Sequence, residues 1–444
     1  MRLENYALIH VPSRIGQLRA VPVRLGDGAP PAILAAYAAD FDVDPWVEMF
    51  YFPSDTLKLM LFTVTGEVLW RKDLGRAVVP GMHFVPICAF DLDGDGVDEI
   101  WFVNNVSDRH PLSLRSYRLE CLDARTGLTK GQWPWPDKGG EQSLSRQFRN
   151  FILGGYVRGE PVLVTAQGTY GPMFLQGYRP DMTPRWEHEI AESSPGARGS
   201  HMAPVVDIDR DGVDELMWGE RCIELDTGRQ RWCADEAVYR GHSDVVQPVL
   251  RDDGRWILFT CREGDGQASP RVVCFDDQGR RIWGAVERGH MDMGWVARLG
   301  DAGKTAMAIR IDRKTCGPDG RQHQGCESFA FDVFTGAERK LNVDPYRTLP
   351  VDLNGDGRHE LIRGVPGGDG TVWNRYGQEI ATLGGTVALA CKLVDHPGEQ
   401  LLIHHAEGTI RIVCDADAER DSDEAKARYA HPYYRINVHA LGGL

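Results

Sequence analysis

One nine-residue pattern is written three times in this chain: Asp91-Leu-Asp-Gly-Asp-Gly-Val-Asp-Glu99, Asp207-Ile-Asp-Arg-Asp-Gly-Val-Asp-Glu215 and Asp352-Leu-Asn-Gly-Asp-Gly-Arg-His-Glu360. A fourth copy, Asp40-Phe-Asp-Val-Asp-Pro-Trp-Val-Glu48, carries proline in the glycine position. Each follows a short apolar run and most precede another, which reads as strand, turn, strand. Side-chain oxygens at the first, third, fifth and ninth positions, with a carbonyl at the seventh, can converge on one hard cation; Ca²⁺ takes about six to eight oxygens. The candidate ligands are Asp91, Asp93, Asp95 and Glu99, then Asp207, Asp209, Asp211 and Glu215, then Asp352, Asn354, Asp356 and Glu360. An EF-hand is excluded, because its glutamate position holds Phe102, Trp218 or Arg363. The competing reading is a solvated acidic turn without metal. Even with calcium bound, the role expected of these loops is structural.

Weaker turns at Arg158–Gly159, Asp252–Gly254, Asp301–Gly303 and Asp395–Gly398 bring the anchors to eight. Between them lies a second signal: Thr65-Gly66, Thr227-Gly228 and Gln278-Gly279 are each followed by a tryptophan, at Trp70, Trp232 and Trp283. Two inner strands joined by an acidic turn, then two outer strands joined by a glycine turn, make one repeating unit. That is the pattern of a β-propeller. The expected fold is all-β, a single propeller spanning 1–444 with eight four-stranded blades, seven being the alternative. The segment Tyr6–Leu25 is expected to complete the last blade and so remove an exposed edge.

A net charge of −14 argues against nucleic acid, which requires a clustered basic surface. No apolar run approaches the roughly 18 residues of a membrane span. The N-terminal stretch lacks the basic-then-apolar pattern of a secretory leader. The location is then cytoplasmic, or secreted or periplasmic if a leader has been removed. A monomer is expected. Among ten cysteines, Cys222 with Cys233, Cys261 with Cys274 and Cys316 with Cys326 could face each other across hairpins, as disulfides or as buried thiols.

In a propeller, the start of each innermost strand and the loop between strands two and three open on one face. Aligning the starts by their anchors gives His83, His201, His242, His290 and Tyr346-Arg347. Arg262 and Arg310 follow His242 and His290 at equal spacing, and Tyr170 and His110 fall on comparable loops. A histidine beside glycine can be a repeat relic bonded to backbone. A transition-metal site is a further possibility, since imidazole suits Zn²⁺.

Histidine, tyrosine and arginine at one mouth suit β-elimination from a uronic-acid polysaccharide. A cation neutralises the uronate carboxylate, a base removes the C5 proton, and an acid protonates the leaving oxygen. His242 and His290 are the candidate proton-transfer pair, Arg262 and Arg310 the carboxylate clamps, and Tyr346 the alternative acid or base. His83, His201, Tyr170, Arg347 and His110 are expected to bind substrate. A glycosidase would want two carboxylates at the mouth. The starts offer few, Asp244, Asp292, Glu220 and Glu263, and no obvious lysine.

With these features in view, the sequence resembles the β-propeller polysaccharide lyases. It is similar to rhamnogalacturonan lyases of the eight-bladed type in its acidic turns, in Arg-Gly-His242-Ser-Asp244 and in His431-Pro-Tyr-Tyr-Arg435. It is similar to ulvan lyases and rhamnose–glucuronate lyases in its histidine, tyrosine and arginine set. The resemblance implies elimination from an acidic, rhamnose-containing polysaccharide, with structural Ca²⁺. The alternatives are a rhamnosidase-like hydrolase and a non-catalytic carbohydrate-binding propeller. The glycine–tryptophan hairpins also resemble quinoprotein propellers, whose cofactor pocket needs adjacent cysteines that this chain lacks.

Overall fold

A strand that is apolar at every residue needs cover on both faces. Ala32–Ala38, Met173–Tyr178 and Trp256–Arg262 are buried throughout. Outer strands such as Val68–Asp73 alternate between exposed and half-buried residues. In the computed structural model, all residues are described except 27, 30, 108, 137–142, 265–268, 302 and 438–444. They form an all-β architecture of eight antiparallel sheets, seven of four strands and one of three.

The sheets follow one another along the chain. The first runs Gln17–Val23, Ala32–Ala38, Lys58–Thr63, Val68–Asp73, and the second Ile87–Phe90, Glu99–Asn105, Tyr117–Asp123, Thr129–Pro134. The third begins at Asn150–Val157, the fourth at Val205–Val206, the fifth at Ser243–Leu250, the seventh at Leu349–Val351 and the eighth at Thr386–Cys391. The three-stranded sixth comprises Met291–Arg298, Lys304–Gly317 and Gly320–Asp332, and a Phe331–Glu338 bridge stands where a fourth strand would begin. First strands of sheets one to four touch in succession, as do those of sheets five to eight. A Ser200–Ser243 bridge joins the two series, and Gln17–Val23 touches Thr386–Cys391. The arrangement is propeller-like. No helix of the described residues is long and apolar enough to cross a membrane.

Three details depart from expectation. Of the segment Tyr6–Leu25, only the part up to His10 serves the eighth sheet: Leu3–His10 pairs with Thr409–Asp415, whereas Gln17–Val23 opens the first sheet. The fourth acidic copy is not an inner turn. Asp40–Glu48 lies between the second and third strands of the first sheet, at the opposite end from the other three copies. All ten cysteines are free thiols; the register sets Cys233 against Arg221 and Cys326 against Ile311, so the proposed pairs do not meet.

The three inner turns are closed by their own carboxylates. Asp91 accepts from the backbone N–H of Gly94 and Gly96, and Glu99 accepts from Leu92 N–H at 3.0 Å. Asp207 with Glu215 and Asp352 with Glu360 repeat the scheme. The sixth-position glycines have φ of +87°, +84° and +85°, which a side chain would strain.

The glycine–tryptophan signal joins neighbouring sheets. Trp186 of the third sheet lies on Gly228 of the fourth, and its Nε1–H donates to Leu225 O at 2.7 Å. Trp70 meets Gly127, Trp232 meets Gly279, and Trp283 meets Gly336 in the same way, each donating to a carbonyl of the facing turn. Gly228→Ala would place a Cβ 2.4 Å from the Trp186 ring at a φ of +69°. The expected loss is about 2 kcal/mol in urea unfolding, with Trp186→Phe losing only about 1 kcal/mol for its hydrogen bond.

Candidate functional site

The loops at the end opposite the acidic turns surround a cavity of about 710 Å³. Residues that precede first strands supply His83, Arg149, His201 and His290, and loops between second and third strands supply Trp46, Tyr170 and Glu263. Asp244 and Asp292 each sit where the strand register slips by one residue, between Ser243 and Val245 and between Met291 and Met293. Such a bulge turns one side chain out of the pleat. Here it aims two carboxylates at the cavity.

The sixth sheet contributes differently. Its second and third strands, Lys304–Gly317 and Gly320–Asp332, run past their neighbours as a long hairpin. The tip reaches the first sheet's Asp40–Glu48 loop: Gly320 packs on Phe41, and Arg321 lies 3.5 Å from Asp42 and 3.3 Å from Asp44. This arm places Lys314 and Arg321 in the cavity wall.

Cations gather there because carboxylates hold them. His290 Nε2 lies 3.1 Å from Glu263, 3.5 Å from Asp292 and 3.6 Å from Asp244. Burial pulls the His290 pKa down, but hydrogen bonds to Asp244 and Glu263 outweigh it and push it up to about 10. The ring is therefore an imidazolium at neutral pH. Lys314 pairs with Asp292. Arg149 pairs with buried Asp44 at 3.0 Å. Burial and the Glu263 charge raise Asp244, whereas Glu263 is lowered because His290 outweighs its burial. On the other wall His201 Nδ1 lies 2.8 Å from Arg149 and 3.1 Å from His83 Nε2. Burial, with Arg149 alongside, holds His83 and His201 well below the usual histidine value.

The structure thus brings together His83, His201, His290 and Tyr170 from the expected set. His242 is fully buried behind them, its ring 4.6 Å from His201 and 4.7 Å from Tyr170, and burial lowers it to about 4. Its Nε2 faces Asp244 Oδ1 at 3.5 Å.

Arg262 and Arg310 are not carboxylate clamps. Arg262 is fully buried away from the cavity; it donates to Glu220 at 2.8 Å and Asp235 at 2.8 Å and stacks on Tyr239. Arg310 faces outward, 2.6 Å from Glu327 and 3.3 Å from Asp312. Tyr346 bonds His323 at 3.1 Å, and Arg347 donates to the carbonyls of Gly367 and Arg321. Both stand outside the cavity wall, as does His110, which is exposed on the 106–116 loop.

Sequence reasoning missed Arg149, Lys314 and Arg321. Arg149 had a signal: it directly precedes the third sheet's first strand, as His242 and His290 precede theirs. Of the four carboxylates expected at the mouth, Asp244, Asp292 and Glu263 line the cavity, where Asp44 and Glu48 join them, whereas Glu220 is buried against Arg262.

Several groups could hold a metal ion. His201, His242 and Asp244 bring ligand atoms within 4.8 Å of one another, as do Asp244, His290 and Asp292. In the acidic turns Asp91, Asp93 and Glu99 converge likewise, and so do Asp207, Asp209 and Glu215. Lys130 and Arg231 lie against the latter two sets. Among the described residues the Asp352 turn forms no such group; Arg428 donates to Asp352 there at 2.9 Å.

No family model matches the chain. It is 24% identical over 315 residues to the rhamnogalacturonan exolyase YesX of Bacillus subtilis (strain 168), covering 63% of this chain and 49% of that protein. It is 23% identical over 271 residues to the rhamnogalacturonan endolyase YesW of the same organism, covering 54% and 43%. The chain therefore spans about half the length of these relatives. The solved structure of YesX superposes with a TM-score of 0.77 at 19% identity, covering 97% of this chain and 79% of that one. The Bacillus licheniformis rhamnogalacturonan lyase PL11 gives 0.75 at 18%, covering 99% and 80%. The fold is that of the rhamnogalacturonan lyases.

Within this lyase fold Arg262 is a buried brace for Glu220, which also accepts from Ser243 and Thr260. Arg262→Ala leaves the buried Glu220 carboxylate without its cation, and the expected cost is about 3–5 kcal/mol in denaturant unfolding. Pairing Arg262→Met with Glu220→Gln is expected to recover most of it.

Proposed function

We propose that this protein is a polysaccharide lyase that cleaves a rhamnose- and uronate-containing polysaccharide of the rhamnogalacturonan type by β-elimination. The reading takes residues 1–444 as one closed, eight-bladed propeller. Contacts among first strands, with the Ser200–Ser243 bridge between the fourth and fifth sheets, support closure. The observation that carries the function is the cationic cluster of His290, Lys314, Arg149 and Arg321 in the wall of one cavity. The likeness to an exolyase and an endolyase of rhamnogalacturonan supports the substrate class.

In this reading Lys314 and the arginines bind the uronate carboxylate, and its neutralised charge acidifies the C5 proton. Asp244 takes that proton. Its Oδ1 has no hydrogen-bond partner and its pKa is raised by burial. His290, held protonated, gives a proton to the leaving O4. The C5–H bond breaks and its electron pair forms the C4–C5 double bond, while the C4–O pair leaves with O4 and takes up the His290 proton. Two groups whose environments push them apart in acidity thus serve as base and acid. His242 backs Asp244 from behind, and His83 with His201 completes the wall around the sugar.

Calcium is proposed in the turns headed by Asp91 and Asp207, where three carboxylates converge. Filling either turn displaces Lys130 or Arg231. EGTA is expected to lower the melting temperature by removing a ligand of the folded state. An unchanged melting temperature, with no calcium by elemental analysis, would count against these sites.

A second reading, hydrolysis, is favoured by one observation, the approach of Asp244, Glu263 and Asp292 at the same wall. Digestion of rhamnogalacturonan separates the readings. A lyase generates an unsaturated uronate that absorbs ultraviolet light, whereas a hydrolase yields new reducing ends without it. Absorbance is expected. His290→Ala and Asp244→Asn should each lower turnover by roughly 10²–10⁴, and Lys314→Ala by about 10²–10³. Arg310→Ala, outside the wall, should leave turnover unchanged. New reducing ends without absorbance would establish the hydrolase instead.

A further inference from the structure

The fourth acidic copy, displaced from the inner turns, ends in a residue that neither the fold nor the chemistry uses. Trp46 lines the cavity yet is 42% exposed; Val47, next in the chain, is exposed, as is Met82, another residue of the cavity wall. An indole left in water at the rim of a charged cavity calls for an apolar occupant.

Its loop is fixed on every side. Asp44 is tied to Arg149 and Arg321, and Asp42 accepts from Met82 N–H at 2.8 Å. Ser145 Oγ donates to Pro45 O at 3.0 Å, and Tyr51 OH donates to Phe41 O at 2.6 Å. The ring itself leans on Tyr170, with centroids 5.6 Å apart and planes at 51°. Tyr170 is in turn held by its hydroxyl to Glu263 at 2.9 Å. Trp46 is thus presented in advance, at little entropic cost, beside the arginine that pairs with Asp44.

We propose that Trp46 is the specificity platform for the neutral sugar next to the uronate, stacking on the apolar face and C6 methyl of a 6-deoxyhexose. The inference rests on the lyase reading above, because the cationic wall then fixes the uronate and leaves its neighbour over the indole. A pyranose ring presents C–H bonds on one face and hydroxyls at its edges. An aromatic surface takes the first while the edges stay hydrated. A 6-deoxy sugar adds a methyl where other hexoses carry a hydroxymethyl, so stacking discriminates in its favour. A uronate in the same place would set its carboxylate against the indole face, which is the electron-rich one.

The test uses the full chain with two polymers, rhamnogalacturonan and polygalacturonan, in affinity electrophoresis and steady-state ultraviolet assays. Trp46→Ala is expected to weaken rhamnogalacturonan binding roughly tenfold and raise KM by the same factor, with kcat within about twofold. Trp46→Phe should fall between, and the preference for rhamnogalacturonan over polygalacturonan should shrink in step. The melting temperature identifies a variant that has merely lost its fold, and Trp46→Phe then carries the comparison. Unchanged affinity and preference in both variants, with wild type still active, would overturn the platform and leave the lyase reading standing. Wild type that neither binds nor cleaves rhamnogalacturonan would sink both.

Discussion

A sheet apolar on both faces has no stable existence alone; each sheet here depends on how closely the next can approach. At four of the sheet-to-sheet contacts a tryptophan laid on a glycine sets that approach. At Gly127, Gly228, Gly279 and Gly336 a side chain would collide with the indole of the preceding sheet, so only glycine admits the contact. The indole N–H then bonds a carbonyl in the same turn, fixing the height of one sheet against the next. Loops at the far end inherit that placement. His83 and His201, 118 residues apart, meet at 3.1 Å because two intervening sheet contacts hold their strands in place.

Charge compensation is the second constraint. Gathering Arg149, Arg321, Lys314 and His290 within one wall costs desolvation that only close carboxylates offset. Asp44 serves both arginines, Asp292 serves Lys314 and His290, and Glu263 serves His290 while accepting from Tyr170. The carboxylates that a hydrolase would need are therefore already engaged in holding cations. Asp244 shares in this only through Oδ2, which lies 3.6 Å from His290. Its Oδ1 faces two imidazoles at 3.4 and 3.5 Å and has no hydrogen bond. A carboxylate so placed is better suited to receive a proton than to neutralise a lysine.

Repetition made the fold legible. Three acidic turns and a recurring glycine-to-tryptophan interval are each short-range signals; with four weaker turns and the Asp40–Glu48 copy they make eight anchors for eight sheets, although that copy lies at the other end of its sheet. The cavity was legible only where repetition reached it: His83, His201 and His290 occupy equivalent starts, so aligning the repeats placed them together. Arg262 shows where that logic fails. It stands at the predicted distance after His242, but successive strand residues point to opposite faces, and it is the next residue, Glu263, that faces the cavity. Arg310 fails for a related reason. Its strand does not end there but continues to Gly317, so the residue that matters is Lys314, further along the arm. Nothing in the sixth repeat marks that extension, because strand length is set by the partner strand Gly320–Asp332 rather than by a local motif.

The Asp40–Glu48 copy shows how a turn motif changes meaning with position. In the inner turns the first carboxylate closes the loop by accepting backbone N–H groups, and the ninth residue locks it. In the displaced copy Asp40 still accepts backbone N–H groups, those of Ser54 and Asp55, so the local chemistry of the first position survives. The third and fifth positions do not curl inward, because proline replaces the glycine whose positive φ would permit it. Asp42 and Asp44 reach instead to Arg321 on one side and Arg149 on the other. Two carboxylates that would have helped surround a cation in a turn thus hold two guanidinium groups across separate sheets. The loop becomes the strut between the sixth sheet's arm and the third sheet. A change of charge at Asp44 would remove the carboxylate that both arginines share, leaving Arg149 without its ion pair and Arg321 with Asp42 alone.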